Sequence, residues 1–501
     1  MSSTSKNIHP FFTLRTIVFT VALPVFSWMA CGCHKPHATP FTENDPGVPQ
    51  GQWIPESDHT CPYRVIGLDP HRASYFMLPE MHPPVGADPA MVQGLEEQLY
   101  WLNFRFSHGD ILSCGPQSQW YVAVPDSSSV TDSLGNELEY FQSYLRHFCG
   151  ESNQDLQNRI FPFLTSSPLI WTQDIGELVV QSGIPGAEIY CGPQDQKTYL
   201  DVAHGLTRTY PDSFRYHELP ANLSAEGGDL EVVWGPDRKP ALLLGRHRVL
   251  RYLENTRPGW DHRRAVPQAL IEEARKAYSD AFGHLPVIIV TERALREPEK
   301  ASEEMFHLDM LASIMDNHQG PHPHAFVPVF SSPKVVDAMS GKNLPESLTR
   351  KVEWEFDEAA RQLSALGYQV IRLPFNDHPA RSPVNFGKSK DEKTGRYSVY
   401  LAKYPYHLPQ GNPQTPQARL MVAVSAVQDA GGRWNRSGNT SDLAQFRQAL
   451  DQLWQAMTDA DAAPSPLYEE RAKRIRAVGY DVIEVHCYAW GSGGIHCQTL
   501  R

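Results

Sequence analysis

Apolar residues recur along this chain in two periods, and the two alternate. Residues 120–124 form a short apolar run of strand type, and 134–148 repeat at helical spacing. Residues 178–180 read as a second strand. The spacing over 266–282 predicts a helix that leads into a strand at 287–290. Two later segments resemble each other. A helix over 354–366 runs into Gly367-Tyr368-Gln369-Val370-Ile371, and a helix over 467–478 runs into Gly479-Tyr480-Asp481-Val482-Ile483. Glycine after a helix is the usual left-handed cap, and the β-branched run behind it suits a buried strand. The repeated unit fits a repeat architecture, although any α/β protein can contain such units. Residues 376–394 are polar and read as an exposed loop, as do 405–416 with their Pro and Gly content.

Composition adds bounds. The chain has 501 residues, 41% hydrophobic and 20% charged, enough for a sizeable core. Its formal net charge of −12 argues against a general nucleic-acid binder, which usually needs a basic face for phosphate. At the N-terminus, Lys6 and Arg15 precede an apolar stretch over 16–28 that ends at Ala30-Cys31-Gly32-Cys33. This pattern reads as a secretory signal over 1–33, with lipidation at Cys31 or Cys33 as the expected membrane attachment and an exported mature chain. A plain cleaved signal or a short anchor is the alternative. Residues 34–62, rich in Pro, Gly and polar side chains, read as a tether within an N-terminal extension over 34–110, with the main globular domain expected over 111–501. The chain carries eight cysteines at irregular spacing, so it is not a disulfide scaffold.

Four segments carry candidate chemistry. Near the C-terminus, Gly493-Gly494-Ile495-His496-Cys497-Gln498-Thr499 places a cysteine behind a glycine-rich turn that can present it at a cleft. In Phe306-His307-Leu308-Asp309-Met310, a His and an Asp two apart can share a strand face, one moving protons and the other binding a cation. In Trp171-Thr172-Gln173-Asp174-Ile175-Gly176-Glu177, the aromatic can pack on an aliphatic stem while the carboxylate holds a charged head. In Glu226-Gly227-Gly228-Asp229-Leu230-Glu231-Val232, acids around a glycine pair offer oxygen ligands to a hard cation. Taken singly, each has an ordinary explanation: a buried structural cysteine, a surface His and Asp, a core Trp, an acidic turn. A separate cluster of His318, His322 and His324 in a Pro/Gly-rich loop could bind zinc or copper, which leaves a non-catalytic metal-binding lipoprotein as a reading of another class.

Together and in this order, the four segments resemble the guanidine-modifying superfamily. The Trp-x-Gln-Asp and Asp-Leu-Glu-Val forms are most similar to the protein-arginine deiminases, and the Gly-Gly-Ile-His-Cys form is also similar to the agmatine deiminases. The resemblance spans about residue 120 to the C-terminus. It implies an α/β fold of pentein type, a five-module α/β propeller with pseudo-fivefold symmetry around a central cleft. It implies that Asp174 and Asp309 bind a guanidinium, that Cys497 attacks its carbon, that His307 transfers protons, and that Trp171 lines the substrate channel. It also implies one calcium ion at most near the cleft, held by Gln173, Glu177 and Glu231 with carbonyls near Gly227 and Leu230. A second site is not expected, because Ile175 stands where the family has a carboxylate. No organic cofactor is implied. The substrate would be an arginine-containing protein or peptide, or a small guanidine such as agmatine. The region near Gln196 and Lys197 lacks the family's arginine pair that grips a peptide backbone, and the family's N-terminal immunoglobulin-like domains are missing.

Overall fold

The computed structural model describes residues 51–59, 63–67, 119–125, 160–165, 175–193, 195–303, 305, 307–317, 320–336, 343–391, 394–402, 439–461 and 466–485, with isolated positions between 419 and 437. All of them fall in one unit, Ala38–Arg501. The first strands are β1 (Trp53–Ile54), β2 (Tyr63–Gly67), β3 (Gln119–Pro125) and β4 (Ile160–Thr165). The last three of these form a parallel sheet with β3 in the middle.

A single plan then repeats. Strands β5 (Glu177–Gln181) and β6 (Ala187–Cys191) pair antiparallel, α1 (Lys197–Thr209) crosses over, and β7 (Phe214–Glu218) returns parallel to β6. Strands β8 (Leu230–Trp234) and β9 (Pro240–Leu244) pair antiparallel, α2 (Arg246–Thr256) and α3 (Gln268–Ala281) follow, and β10 (Val287–Ile289) lies parallel to β9. The third unit is β11 (Ser313–Met315), β12 (His324–Phe330), α4 (Glu346–Leu366) and β13 (Gln369–Phe375). The fourth is β14 (Gly387–Lys390), β15 (Tyr397–Ala402), α5 (Thr440–Asp461), α6 (Pro466–Ala477) and β16 (Asp481–Val485). In each unit the second strand is central, because the hairpin needs only a short turn while the parallel return needs a helical crossover. The result is a mixed α/β protein of several small sheets, and the described strands do not close into one sheet.

Sequence accounts for most of these elements. In α4, Val352, Phe356, Ala359 and Leu363 recur at helical spacing and are all buried. The helix stops at Gly367, whose φ of 107° is the left-handed conformation expected there, and the amide of Tyr368 bonds back to the carbonyl of Leu363. Gly479 repeats this after α6 with φ 97°. Along β8 the faces alternate. Leu230 and Val232 join a core with Val249, Leu253, Ile271 and Tyr278, whereas Val233 joins Ala241, Leu243, Phe356 and Leu363 in the next. The sheet of the second unit therefore separates two cores, and each fully buried Leu contributes about 2 kcal/mol.

Two sequence expectations need correction. Residues 51–59 do not hang as a tether: β1 pairs with β5, and the turn Glu56–Asp58 behind it is buried. Residues 376–391 are not an exposed loop: they contain the turn Pro379–Arg381 and the strand β14, and nearly all are buried. The helix expected over 134–148 and the loop at 405–416 lie outside the described residues. Among the described residues, no helix is long and apolar enough to cross a membrane.

Candidate active site

The short turn Gly227–Asp229 feeds directly into β8, and the amide of Asp229 closes it on the carbonyl of Glu226 at 3.0 Å. The carboxylate of Asp229 lies against Gly245, just ahead of α2. A Cβ on Gly245 would sit 1.4 Å from Asp229 Oδ1, so only glycine fits there. From the first turn of α2, Arg248 reaches both acids. Its Nε donates to Asp229 Oδ2 at 3.0 Å, its Nη2 to Glu226 Oε2 at 2.7 Å and its Nη1 to Ser224 Oγ at 2.6 Å. Ser224 in turn donates to Asp195 at 2.5 Å. A buried guanidinium with this many charge-assisted bonds fixes the planes of its partners.

His307 meets this turn from the third unit. Its Nε2 lies 3.2 Å from Glu226 Oε1, across 81 positions of sequence. Its ring rests on Gly228, where a Cβ would come within 2.6 Å of Nδ1. The chain is extended at His307 and then enters the turn Leu308–Met310, which carries Asp309. The pair therefore sits at the entrance of a 3-10 turn rather than on a shared strand face. Leu308 and Met310 anchor it in the core beneath, and Asp309 is buried at 4% exposure. Two of the four sequence segments therefore meet in one place.

The electrostatics divide the two acids of the turn. Burial drives Glu226 upward, but the hydrogen bond with His307 and the charge of Arg248 outweigh it and hold the carboxyl well below its ordinary range. Burial pushes Asp229 up to about 6 against the opposing pull of Arg248. Glu226 is thus a persistent anion facing His307, able to orient the ring.

The other expected residues are placed as follows. Trp171, Gln173, Asp174 and Cys497 lie outside the described residues. Ile175 is fully buried. Glu177 opens β5, and its carboxylate accepts the amide of Val232 at 3.0 Å, tying β5 to β8. Gly227 forms the turn, and Leu230 pairs with Leu244. Glu231 is in an ion pair with Lys388 of β14. Among the described residues, no three His, Cys, Asp or Glu side chains gather to hold a metal ion. The described part of the expected calcium set does not fit calcium as it stands, since an ammonium group already occupies Glu231. Of the three histidines, His318 lies outside the described residues and His322 is exposed in the bend before β12. His324 opens β12, is buried, and bonds through its two ring nitrogens to Tyr480 at 2.6 Å and Gln369 at 3.1 Å.

Sequence reasoning missed three residues here. Glu226 stood in a segment singled out for metal ligation, but its partner is His307. Arg248 and Lys388 carried no local signal beyond their charge.

No protein-family model and no curated protein matches the chain. Among solved structures, it is similar to the C. jejuni agmatine deiminase at 11% identity and TM-score 0.40, covering 89% of this chain and 94% of that one. It is similar to a Porphyromonas gingivalis protein assigned as an arginine deiminase, at 13% identity and TM-score 0.43, covering 89% and 96%. It is also similar to the Pseudomonas aeruginosa DDAH, a cysteine-to-serine mutant complexed with citrulline, at 12% identity and TM-score 0.32, covering 88% and 99%. At TM-scores below 0.5 these likenesses carry no weight for function, which rests on the residues.

Proposed function

We propose that this chain is a guanidine deiminase, a cysteine hydrolase that converts a guanidinium to a ureido group and releases ammonia. The observation that carries the reading is the meeting of His307 with Glu226 beside the turn that holds Asp309. An imidazole backed by a persistent anion and neighboured by a second buried carboxylate suits a reaction that needs a proton donor, a proton acceptor and a cation clamp. The five-module propeller with pseudo-fivefold symmetry belongs to the same proposal. It draws support from the repeated strand–strand–helix–strand plan.

In the proposed mechanism, Asp309 and Asp174 hold the guanidinium planar through charge-assisted hydrogen bonds, and Trp171 packs on the aliphatic stem. The Cys497 thiolate attacks the guanidinium carbon, forming a C–S bond. Protonated His307 gives its proton to one nitrogen, and the C–N bond breaks with release of ammonia. This leaves an amidino thioether on Cys497. Neutral His307 then takes a proton from water, whose oxygen bonds to the same carbon. The C–S bond breaks, the electron pair returns to sulfur, the remaining hydroxyl proton passes to solvent where it is taken up by the released ammonia, and the neutral ureido product departs. Glu226 stabilises the imidazolium at both stages.

The finer reading is a protein-arginine deiminase type, acting on arginine in a peptide or protein, with the Trp-x-Gln-Asp and Asp-Leu-Glu-Val motifs as its support. A small guanidine such as agmatine is the second substrate, favoured by the missing arginine pair near Gln196 and Lys197. Export, with a lipid on Cys31 or Cys33, belongs to the same proposal on the strength of the apolar stretch over 16–28. Ureido-product assays on an arginine peptide and on agmatine separate the two substrates. Product from the peptide, absent in Cys497→Ala, supports the finer reading. Product from agmatine alone moves the substrate to small guanidines. No product from either, with folded protein, sinks the proposal.

A further inference from the structure

We infer that Lys388 is a built-in cation that stands in for the calcium implied by the motifs, so that this chain keeps its site in order without a divalent metal. The inference starts from β14. Its sequence, Gly387-Lys388-Ser389-Lys390, reads as surface, yet Lys388 is fully buried. Its ammonium is in an ion pair with Glu231 of β8 and lies 3.5 Å from Glu56 in the turn behind β1. Both carboxylates are buried, at 3% exposure each. Two residues on, Lys390 pairs with Asp58 of the same turn at 3.2 Å, and Asp58 also accepts from Tyr397 at 2.6 Å and from the indole of Trp234 at 2.8 Å.

The positive charge is therefore supplied by the chain itself, where three parts of it meet: the turn Glu56–Asp58, β8 and β14. Glu231 follows Asp229 by two residues on the strand that begins directly behind the Glu226 turn. Holding Glu231 holds the base from which Glu226 faces His307. A calcium ion requires six to eight oxygen ligands, carboxylates prominent among them. Here Glu177 is bonded to a backbone amide and Glu231 to an ammonium. A divalent cation arriving beside that ammonium would meet repulsion and would have to displace it. Removing a lysine from two buried carboxylates, by contrast, leaves uncompensated negative charge.

This inference concerns the metal alone and does not rest on the deiminase reading, since its test reads binding and stability. The full-length protein, stripped with EDTA, is titrated with calcium chloride by calorimetry, and its Tm is measured in calcium and in EGTA. The expected result is no saturable heat and the same Tm in both. Lys388→Met is expected to lower Tm by about 3–5 °C. The double variant Glu231→Gln/Lys388→Met is expected to regain most of that loss, because it leaves one buried charge fewer; it serves as the reference if the single variant does not fold. Saturable calcium binding to the wild type that raises Tm and disappears in Glu231→Gln would overturn the inference. A Lys388→Met protein as stable as the wild type would overturn it too.

Discussion

Replacing Gly228 by alanine isolates the position of the His307 ring. The new Cβ would come 2.6 Å from Nδ1 and 3.1 Å from Cε1, whereas ordinary contact begins near 3.4 Å. The imidazole must therefore retreat by about 0.8 Å to clear the methyl group. It is a side chain and can move, so the fold should survive. The retreat is costly to chemistry, because it draws Nε2 off a 3.2 Å contact with Glu226 and off the line of proton transfer. A misplacement of about 1 Å in a catalytic group costs on the order of 100-fold in rate. Gly228→Ala is expected to lower kcat by about 100-fold, with KM for the guanidine little changed and Tm within a few degrees of wild type. Steady-state kinetics with ureido detection, run beside a thermal melt, reads both quantities. A variant that keeps wild-type kcat would refute the claim that the ring seated on Gly228 is the working acid and base.

Arg248→Met leaves Glu226 and Asp229 without their shared guanidinium, so urea unfolding should show a loss of about 3–5 kcal/mol; a loss under 1 kcal/mol would mean the two acids find other partners. Glu226 has its folded pKa depressed, so its contribution is present above the unfolded value of 4.5 and is lost as pH falls below it. Unfolding free energy should therefore fall on acidification from pH 4.5 downward, and Glu226→Gln should make that fall shallower while lowering kcat at neutral pH; identical acid slopes in the two proteins would contradict the pairing with His307.

The parts legible in the sequence are those whose cause is local. The glycine caps after α4 and α6 announce themselves through a helix period, a glycine and a β-branched run, and Gly367 and Gly479 have the expected left-handed conformation. The segment around His307 and Asp309 could be singled out because the residue types suggest proton and cation chemistry. What was misread depends on partners far away in the chain. Glu56, Asp58, Asp377, Arg381 and Lys388 look like surface residues one at a time. In the fold, Lys388 meets Glu231 across 157 positions and Lys390 meets Asp58 across 332, while Asp377 and Arg381, four positions apart, neutralise each other locally at 2.7 Å. A polar stretch reads as exposed until its counter-charges are known, and spacing along the chain does not reveal them. Glu226 shows the same limit: its carboxylate was visible, but the imidazole that gives it a role is in another unit.

The most direct test of the account is mass spectrometry of enzyme quenched during turnover with a guanidine substrate. The account predicts an adduct of substrate mass less ammonia on the peptide that contains Cys497, with ureido product in solution, and neither in Cys497→Ala. Ureido product formed at an undiminished rate by Cys497→Ala, with no adduct on the wild-type cysteine, would contradict it.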